Sequence, residues 1–259
     1  FMANNQGITI LLNMFFSTVV NAARGIATTV SSQVSGFVMN FQVAAGPQIY
    51  KLYAKGEYQQ MNRLVCNTAK YSSYLLILIG LPVFIKTEIL IRLWLGNIPE
   101  YVIPFIRITL IELFFKAIDF PIGNGIHAFG KMKLPNITSS IAYISVLPLT
   151  YIFLRLGASP VIAYIIACVS YPLAMACDLW ILNKFSGFDI KFYLLHVPLK
   201  SILIILLSAI LPVFVSNSFE DGWLNLILTS AVCAIVSAVL VFYIGLDAEM
   251  REKVIRKVK

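Results

Sequence analysis

Three charged residues lie close together in a stretch that is otherwise almost entirely apolar. Glu112, Lys116 and Asp119 are separated by four and three positions, so a helix would place them on one face as an acid, base, acid ladder. Within a bilayer each central charge opposes insertion by about 2.5–3.5 kcal/mol unless something neutralises it. Two interpretations stay open: an ion-pair ladder that only joins helices, or a proton or cation site on a transport path.

Neighbouring residues add detail to this charged stretch. Arg107 falls off the face of the ladder and near enough to the membrane surface for its guanidinium to reach the headgroups. Pro121, with Gly123 and Gly125 just beyond it, weakens a helix and predicts a bend. A bend beside buried charge is typical of a transporter.

Amide and hydroxyl side chains form a second set of candidates, in the first two apolar stretches. The first stretch carries a row at steps of three or four: Gln6, Thr9, Asn13, Ser17 and Asn21. The second carries a similar row with polar neighbours: Thr28, Ser32, Gly36 and Asn40, beside Gln33, Ser35 and Gln42. Such rows must face protein or water. They either form hydrogen bonds between helices or line a hydrated cavity.

The sequence offers no pattern for catalysis, a metal or a cofactor. His127 and His196 have no partner at catalytic spacing, and the four cysteines form no CxxC pair. No GxSxG, HExxH or P-loop pattern is present. We therefore expect a protein that is not an enzyme and that needs no cofactor.

The composition indicates which solvent surrounds these residues. The chain is 59% hydrophobic and 12% charged, with a mean hydropathy of +0.84, values far from those of a soluble domain. Its net charge of +8 comes from Lys and Arg between the apolar stretches and near the C-terminus. Basic residues so placed meet anionic lipid headgroups, which argues for a bilayer and against a nucleic-acid partner.

Long apolar stretches predict an all-α, polytopic membrane helix bundle of about eight transmembrane helices. The predicted spans are 5–23, 26–48, 71–86, 102–129, 134–154, 160–182, 199–216 and 223–246. Lys and Arg are concentrated after every second span, so the positive-inside rule predicts a cytoplasmic C-terminus. The segment from Lys55 to Lys70 fits either a short amphipathic helix on the membrane surface or a plain basic loop. Asp178, near the inner end of its span, is expected to reach water.

Several short motifs make the chain resemble a known family of exporters. They are Asn5 to Gly7 (NQG), Asn21 to Ala27 (NAARGIA), Pro47 and Gln48, Lys51, Tyr53 to Gly56 (YAKG), Leu93 to Tyr101 (LWLGNIPEY) and Ala128 to Leu134 (AFGKMKL). They resemble the second half of Wzx-type polysaccharide or O-antigen flippases, which are related to the MATE antiporters and to the lipid II flippase MurJ. The likeness is dense over residues 1–135 and continues afterwards mainly as hydropathy.

The resemblance implies a bundle of about fourteen helices, of which this chain supplies the C-terminal lobe. Residues 1–182 would form a core six-helix lobe, and residues 183–259 two extra transmembrane helices with a basic cytoplasmic tail. The partner would be a missing N-terminal lobe of the same protein. The beginning of the chain at Phe1 agrees with such a fragment.

The family's activity gives the expected function. Such flippases move undecaprenyl-pyrophosphate-linked oligosaccharide across the bacterial inner membrane by alternating access, for polysaccharide, O-antigen or capsule export, and a coupling cation, H+ or Na+, would drive this step. Arg24 of NAARG, expected in or near an outer turn, is a candidate for the pyrophosphate or the sugar. The alternatives are a MATE-type drug or metabolite antiporter and, in another class, a membrane polymerase or acyltransferase of polysaccharide assembly.

Two sets of site residues follow from these expectations. The substrate-cavity candidates are Gln6, Asn13, Ser17, Asn21, Arg24, Ser32 and Asn40. The ion-coupling candidates are Glu112, Lys116 and Asp119.

Overall fold

The secondary structure of the described chain is helical. The computed structural model describes residues 2–130, 133–218, 222–247, 250–252 and 255–256, with the side chains of all but 2–5 and 217. Its helices are α1 (Met2–Phe15), α2 (Thr18–Ala54), α3 (Tyr58–Ile85), α4 (Thr87–Leu95), α5 (Val102–Ala128), α6 (Lys133–Ile144), α7 (Val146–Arg155), α8 (Val161–Ser186), α9 (Ile190–Leu194), α10 (Lys200–Ser218) and α11 (Trp223–Leu240), with π-helical turns at Leu195–Leu199 and Val241–Gly245. Within these ranges no strand occurs, which confirms the all-α prediction. The predicted orientation depends in part on the basic residues Lys131, Lys253, Lys257 and Lys259 and on the acidic residues Glu220 and Asp221 of the predicted last outer loop, all of which lie outside the described residues.

Five helical segments of the described chain are long and apolar enough to cross a membrane. They are Tyr58–Ile85, Lys133–Arg155, Val161–Ser186, Ile190–Ser216 and Trp223–Gly245. The prediction of a helical membrane bundle is confirmed at this level. Helices α2 and α5 have 37 and 27 residues, enough to span about 30 Å of hydrocarbon. Both are more polar, α2 through its amides and hydroxyls and α5 through its charged residues.

The boundary between the first two helices differs from the prediction. The sequence predicts a break between residues 23 and 26, whereas the chain breaks at Phe16 and Ser17 and then continues as one helix to Ala54. Ser17 has the extended backbone of an N-cap residue, with φ −76° and ψ 168°, and serine is favoured at that position. The NAARGIA segment contains three alanines and an arginine, which are strong helix formers. A single glycine does not end the helix there.

The segment from Lys55 to Lys70 is neither a separate surface helix nor a plain loop. Its residues from Tyr58 onward form the first part of α3, which buries Met61, Val65 and Ala69. Gly56 makes the preceding turn at φ +74°, a backbone conformation that glycine adopts without steric cost. The apolar residues that suggested a membrane-surface helix therefore pack inside the bundle.

Helix α5 is the centre of the structure. It packs against α2, α3 and α8, and it buries Phe105, Ile118 and Ile122 completely. A Cβ added at Gly125 would lie 3.2 Å from Leu182 of α8 and 3.3 Å from Val65 of α3. The absence of a side chain at Gly125 therefore lets these three helices approach closely.

The C-terminal helices attach to α3 along its length. A small cluster joins Tyr74 and Ile77 of α3 to Ile204 of α10 and Cys233 of α11. The hydroxyls of Ser73 and Ser201 lie 2.7 Å apart in the same buried interface. Since α10 and α11 also pack against each other, they form a helical pair on the outside of α3.

An ion pair holds the end of this helical pair. The Lys70 ammonium lies 2.6 Å from the Asp247 carboxylate, and only 5% of the Lys70 side chain is exposed. Partial burial opposes ionisation of Asp247, but the hydrogen bond from Lys70 and the charges of Lys70, Lys200 and His196 outweigh it and lower the pKa of Asp247 below its ordinary value. The Tyr74 hydroxyl also donates to the Gly245 carbonyl at 3.3 Å.

We predict that Gly245→Ala destabilises the protein. The new Cβ would lie 2.8 Å from a ring carbon of Tyr74, and a ring cannot move aside as a flexible side chain can. Overpacking of this kind costs about 1–3 kcal/mol, which a lower midpoint of thermal unfolding in detergent would report. The control is Gly123→Ala, because nothing lies within 4 Å of that site and alanine favours a helix. Equal midpoints for the two variants would contradict the prediction.

We predict that Asp247 stabilises the fold only where it is ionised. Because its pKa is lowered on folding, the stabilisation is complete above the ordinary carboxylate value of 3.8 and disappears as the pH falls through the lower folded value. The measurement is the difference in unfolding midpoint between the protein and its Asp247→Asn variant as a function of pH. The difference should be constant near neutrality and shrink below pH 3.8. A difference that grows on acidification would contradict this assignment.

Candidate functional site

Glu112 and Lys116 of α5 form the predicted ion pair. The Lys116 ammonium lies 2.5 Å from a Glu112 carboxylate oxygen, and the two side chains are 30% and 12% exposed. Tyr171 of α8 contacts both residues: its hydroxyl hydrogen-bonds to Glu112, and its ring centroid is 4.8 Å from the Lys116 ammonium. This part of the ladder therefore neutralises itself and is tied to the neighbouring helix.

Asp119 is influenced by a second carboxylate, on the neighbouring helix α8. Its charge interacts with that of Asp178 on α8. One oxygen of each carboxylate, Oδ1, is buried without a hydrogen-bond partner. Asp178 is only 8% exposed, so the expectation that it reaches water is wrong. Helix packing encloses the Asp178 side chain, although the residue lies toward the end of its span. The position of a residue along a helix therefore does not by itself decide whether its side chain reaches water.

Asp178 is the site residue that the sequence reasoning missed. It lies 59 positions from Asp119, so no helical spacing connects the two residues. One signal was available: Asp178 is the single acidic residue in the 26 residues of α8. An isolated charge within an apolar span is a functional candidate by default.

A cavity of about 570 Å³ opens beside this charged cluster. Its polar lining residues come from four helices: Ser35 and Gln42 of α2, Lys116 and Asp119 of α5, Tyr143 of α6 and Tyr171 of α8. The rings of Tyr143 and Tyr171 lie 5.3 Å apart. The cavity thus connects the polar row of α2 with the charges of α5.

The polar rows of α1 and α2 point largely away from the rest of the chain. The exposed members are Gln6, Asn13, Ser17, Thr28, Ser32, Gln33 and Asn40, while Asn21, Arg24, Ser35 and Gly36 are half-buried. We call this set, from Gln6 to Asn40, the polar face. Asn21 donates a hydrogen bond to Asn13, which joins the rows of the two helices. Gln42 differs, since it is buried and donates to the Ala117 carbonyl of α5 at 2.7 Å.

The hydroxyls of the polar face bond within their own helix. Thr28 donates to the Arg24 carbonyl at 3.0 Å, Ser32 to that of Thr29 at 2.8 Å, and Ser35 to that of Ser32 at 3.0 Å. Such bonds satisfy a hydroxyl even in lipid. Among the exposed amides, Asn13 is joined to Asn21, whereas Gln33 and Asn40 make no such bond within their helix and stay exposed. These two amides therefore favour a cavity lining over ordinary helix packing.

Arg24 lies within α2 rather than in an outer turn. The predicted turn does not exist because α2 already begins at Thr18. The guanidinium hydrogen-bonds to the Tyr164 hydroxyl of α8 and lies 5.9 Å from its ring centroid. Tyr164 in turn stacks on Phe105 of α5 at 4.2 Å between centroids. Arg24 is therefore held at one end of the polar face by two helices.

Two motifs that carry the family resemblance meet at the other end of the bundle. Tyr53 of YAKG packs on Phe129 of AFGK, with 4.7 Å between ring centroids. Each motif also ends a helix with a left-handed glycine, Gly56 at φ +74° and Gly130 at φ +66°. These residues form an aromatic contact between two turns rather than part of the cavity.

His196 makes its contacts within its own helical segment. His196 stacks on Phe192 at 4.0 Å between ring centroids, and its Nδ1 is 2.9 Å from the Phe192 carbonyl. Among the residues that the structure describes, no group of three or more His, Cys, Asp and Glu is arranged to hold a metal ion.

The comparisons with known proteins identify no relative. No family model, no curated protein and no solved structure matches the chain. The resemblance to Wzx-type flippases therefore rests on the residues quoted above.

We predict that Lys116→Met destabilises the bundle more than replacement of both partners. Removing the ammonium leaves the Glu112 carboxylate half-enclosed and without its cation, which costs about 3 kcal/mol. The double variant Glu112→Gln, Lys116→Met removes both charges and should recover most of that loss. Unfolding midpoints of the protein, both single variants and the double variant complete the cycle. Additive effects of the two single changes would show that the pair contributes nothing.

Proposed function

We propose that this chain is one lobe of a flippase that moves lipid-linked oligosaccharide across the bacterial inner membrane. The observation that carries the proposal is the polar face, whose exposed amides lie on helices of a membrane bundle. An amide transferred to hydrocarbon without a hydrogen-bond partner costs about 4–8 kcal/mol. The polar face therefore requires water, a polar substrate or another protein surface opposite it.

Eight membrane crossings agree with the directions of the helices. Arg24 of α2 and Phe105 of α5 both contact Tyr164 near the start of α8, so these three helices start at one side. Helix α3 runs the other way, since its Val65 lies near Gly125 and its Phe84 near Arg107. If α1, the α6–α7 pair, the α9–α10 segment and α11 each cross once more, the proposed count is eight crossings, which would place both ends in the cytoplasm. This arrangement suits the C-terminal lobe of a fourteen-helix, MATE-like transporter.

Alternating access supplies the movement. The missing N-terminal lobe would face the polar face, and rocking of the two lobes would open the space between them to either side in turn. Undecaprenyl-pyrophosphate-linked oligosaccharide would pass through this space. The half-buried guanidinium of Arg24 suits the pyrophosphate, because its planar fork donates two parallel hydrogen bonds.

The carboxylates supply a route for coupling to a cation. Glu112 and Lys116 already compensate each other, so they position the site and keep its net charge low. Asp119 and Asp178 carry acceptor oxygens without a hydrogen-bond partner, and a proton or a sodium ion bound at either of them would reduce their mutual repulsion. H+ or Na+ bound there would make the conformation of α5 and α8 depend on the ion gradient.

We predict that surface glycan is lost when the polar face becomes apolar. The measurement is surface polysaccharide in a flippase-deficient strain that expresses the full-length protein with Asn13→Leu, Arg24→Ala, Ser32→Leu or Asn40→Leu. Loss of one charge-assisted contact at Arg24 should lower export about tenfold. Phe214→Leu is the control, because Phe214 is an exposed apolar residue of α10, away from the polar face, at 73% exposure.

Two outcomes would contradict this assignment. Wild-type export in all four polar variants would remove the polar face from the transport path. Normal export with increased sensitivity to cationic drugs would favour the MATE-type antiporter instead. Equal loss in Phe214→Leu would indicate a folding defect rather than a lost contact.

A further inference from the structure

An apolar groove lies on the opposite side of α5 from the polar site. It has a volume of about 610 Å³, within the range of about 300–1,000 Å³ that is typical of ligand sites. Helix α3 forms its floor, and α5 and α10 form its walls. The rim residues Ile111 of α5 and Leu206 of α10 are 43% and 62% exposed. The groove therefore opens between α5 and α10 toward the surroundings of the bundle, which in a membrane are lipid chains.

Among the residues that the structure describes, Arg107 is the single charged residue of the groove lining. Its guanidinium carbon lies 5.7 Å from the ring centroid of Phe84, and its Nε is buried without a hydrogen-bond partner. Helix α3 ends at Ile85 and α5 begins at Val102, so Arg107 marks the end of the groove nearest the membrane surface. Its planar fork suits the oxygens of a phosphate group.

The length of the groove matches one leaflet of a bilayer. Its floor extends from Leu76 to Ile85, a distance of about 14 Å at 1.5 Å per residue. The hydrocarbon core of a membrane is about 30 Å thick, so a lipid chain of one leaflet extends over about 15 Å. The groove therefore combines an apolar channel of this length with one cation, Arg107, at its end. This combination is complementary to a lipid with an anionic headgroup.

We propose that this groove binds a phospholipid of the bilayer with a net negative headgroup. One acyl chain lies along α3 between α5 and α10, and the phosphate receives hydrogen bonds from Arg107. A polyprenyl phosphate is a poorer fit, because its chain is far longer than the groove and would remain mostly outside it. The site is separate from the polar face, so it does not depend on the proposed transport of oligosaccharide.

The headgroup contact is tested by retention of lipids on the purified full-length protein. Phosphatidylglycerol, phosphatidylcholine and a polyprenyl phosphate are added separately to the protein in detergent, and bound lipid is counted by native mass spectrometry. We expect preferential retention of phosphatidylglycerol, reduced about tenfold in Arg107→Gln through loss of a charge-assisted contact. Arg155→Gln is the matched control, since Arg155 is an exposed arginine at the same end of the bundle, over Tyr151.

The chain contact is tested with a substitution that fills the groove. Ala209 lines it on α10, and Ala209→Phe should lower retention of phosphatidylglycerol several-fold. Ile210→Phe is the control, because the neighbouring Ile210 is absent from the lining and 55% exposed. Unfolding midpoints close to that of the parent protein show that the variants are folded.

The outcomes separate the proposal from its alternatives. Equal retention of phosphatidylglycerol by Arg107→Gln and the parent protein, or by Ala209→Phe and Ile210→Phe, would overturn it. Retention of polyprenyl phosphate in place of phosphatidylglycerol would assign the groove to an isoprenoid lipid instead.

Discussion

Hydrocarbon offers no hydrogen bonds, so each polar group in a membrane helix must find a partner within the protein or meet water. The polar groups of the described residues fall into three groups, of which two find a solution within the chain. Hydroxyls such as Ser32 bond to carbonyls of their own helix, and Glu112 and Lys116 neutralise each other. Exposed amides such as Asn40 have neither solution. The third group therefore points to function, because it is stable only if something polar lies outside this chain.

Local sequence spacing predicted those features that are decided within one helix. The pairing of Glu112 with Lys116 follows from their four-residue separation, and the helical membrane character follows from composition. The proximity of Asp119 to Asp178 depends on how α5 packs against α8, which no spacing within one helix can reveal. The position of Arg24 depended on a helix boundary, and a glycine beside alanines did not provide the expected break.

The central position of α5 explains why two different sites lie so close together. Lys116 and Asp119 face the polar cavity, whereas Leu110 and Phe114 face the apolar groove on the other side. One helix thus separates a polar space from a lipid-facing one. A shift of α5 would change the shape of both spaces at once, so the proposed ion site at Asp119 and the proposed lipid site below Arg107 share one rigid element through which they could be linked.

The groove persists because α10 and α11 are attached to α3 rather than to α5. Polar contacts fix this attachment along the length of α3: Lys70 with Asp247 at one end, Ser73 with Ser201, and Lys86 with Ser216 at the other end. Apolar packing alone gives little orientation between helices in lipid, since lipid chains compete equally well for apolar surfaces. Directional polar contacts therefore hold α10 at a fixed distance from α5, and the space between them remains available to a lipid chain.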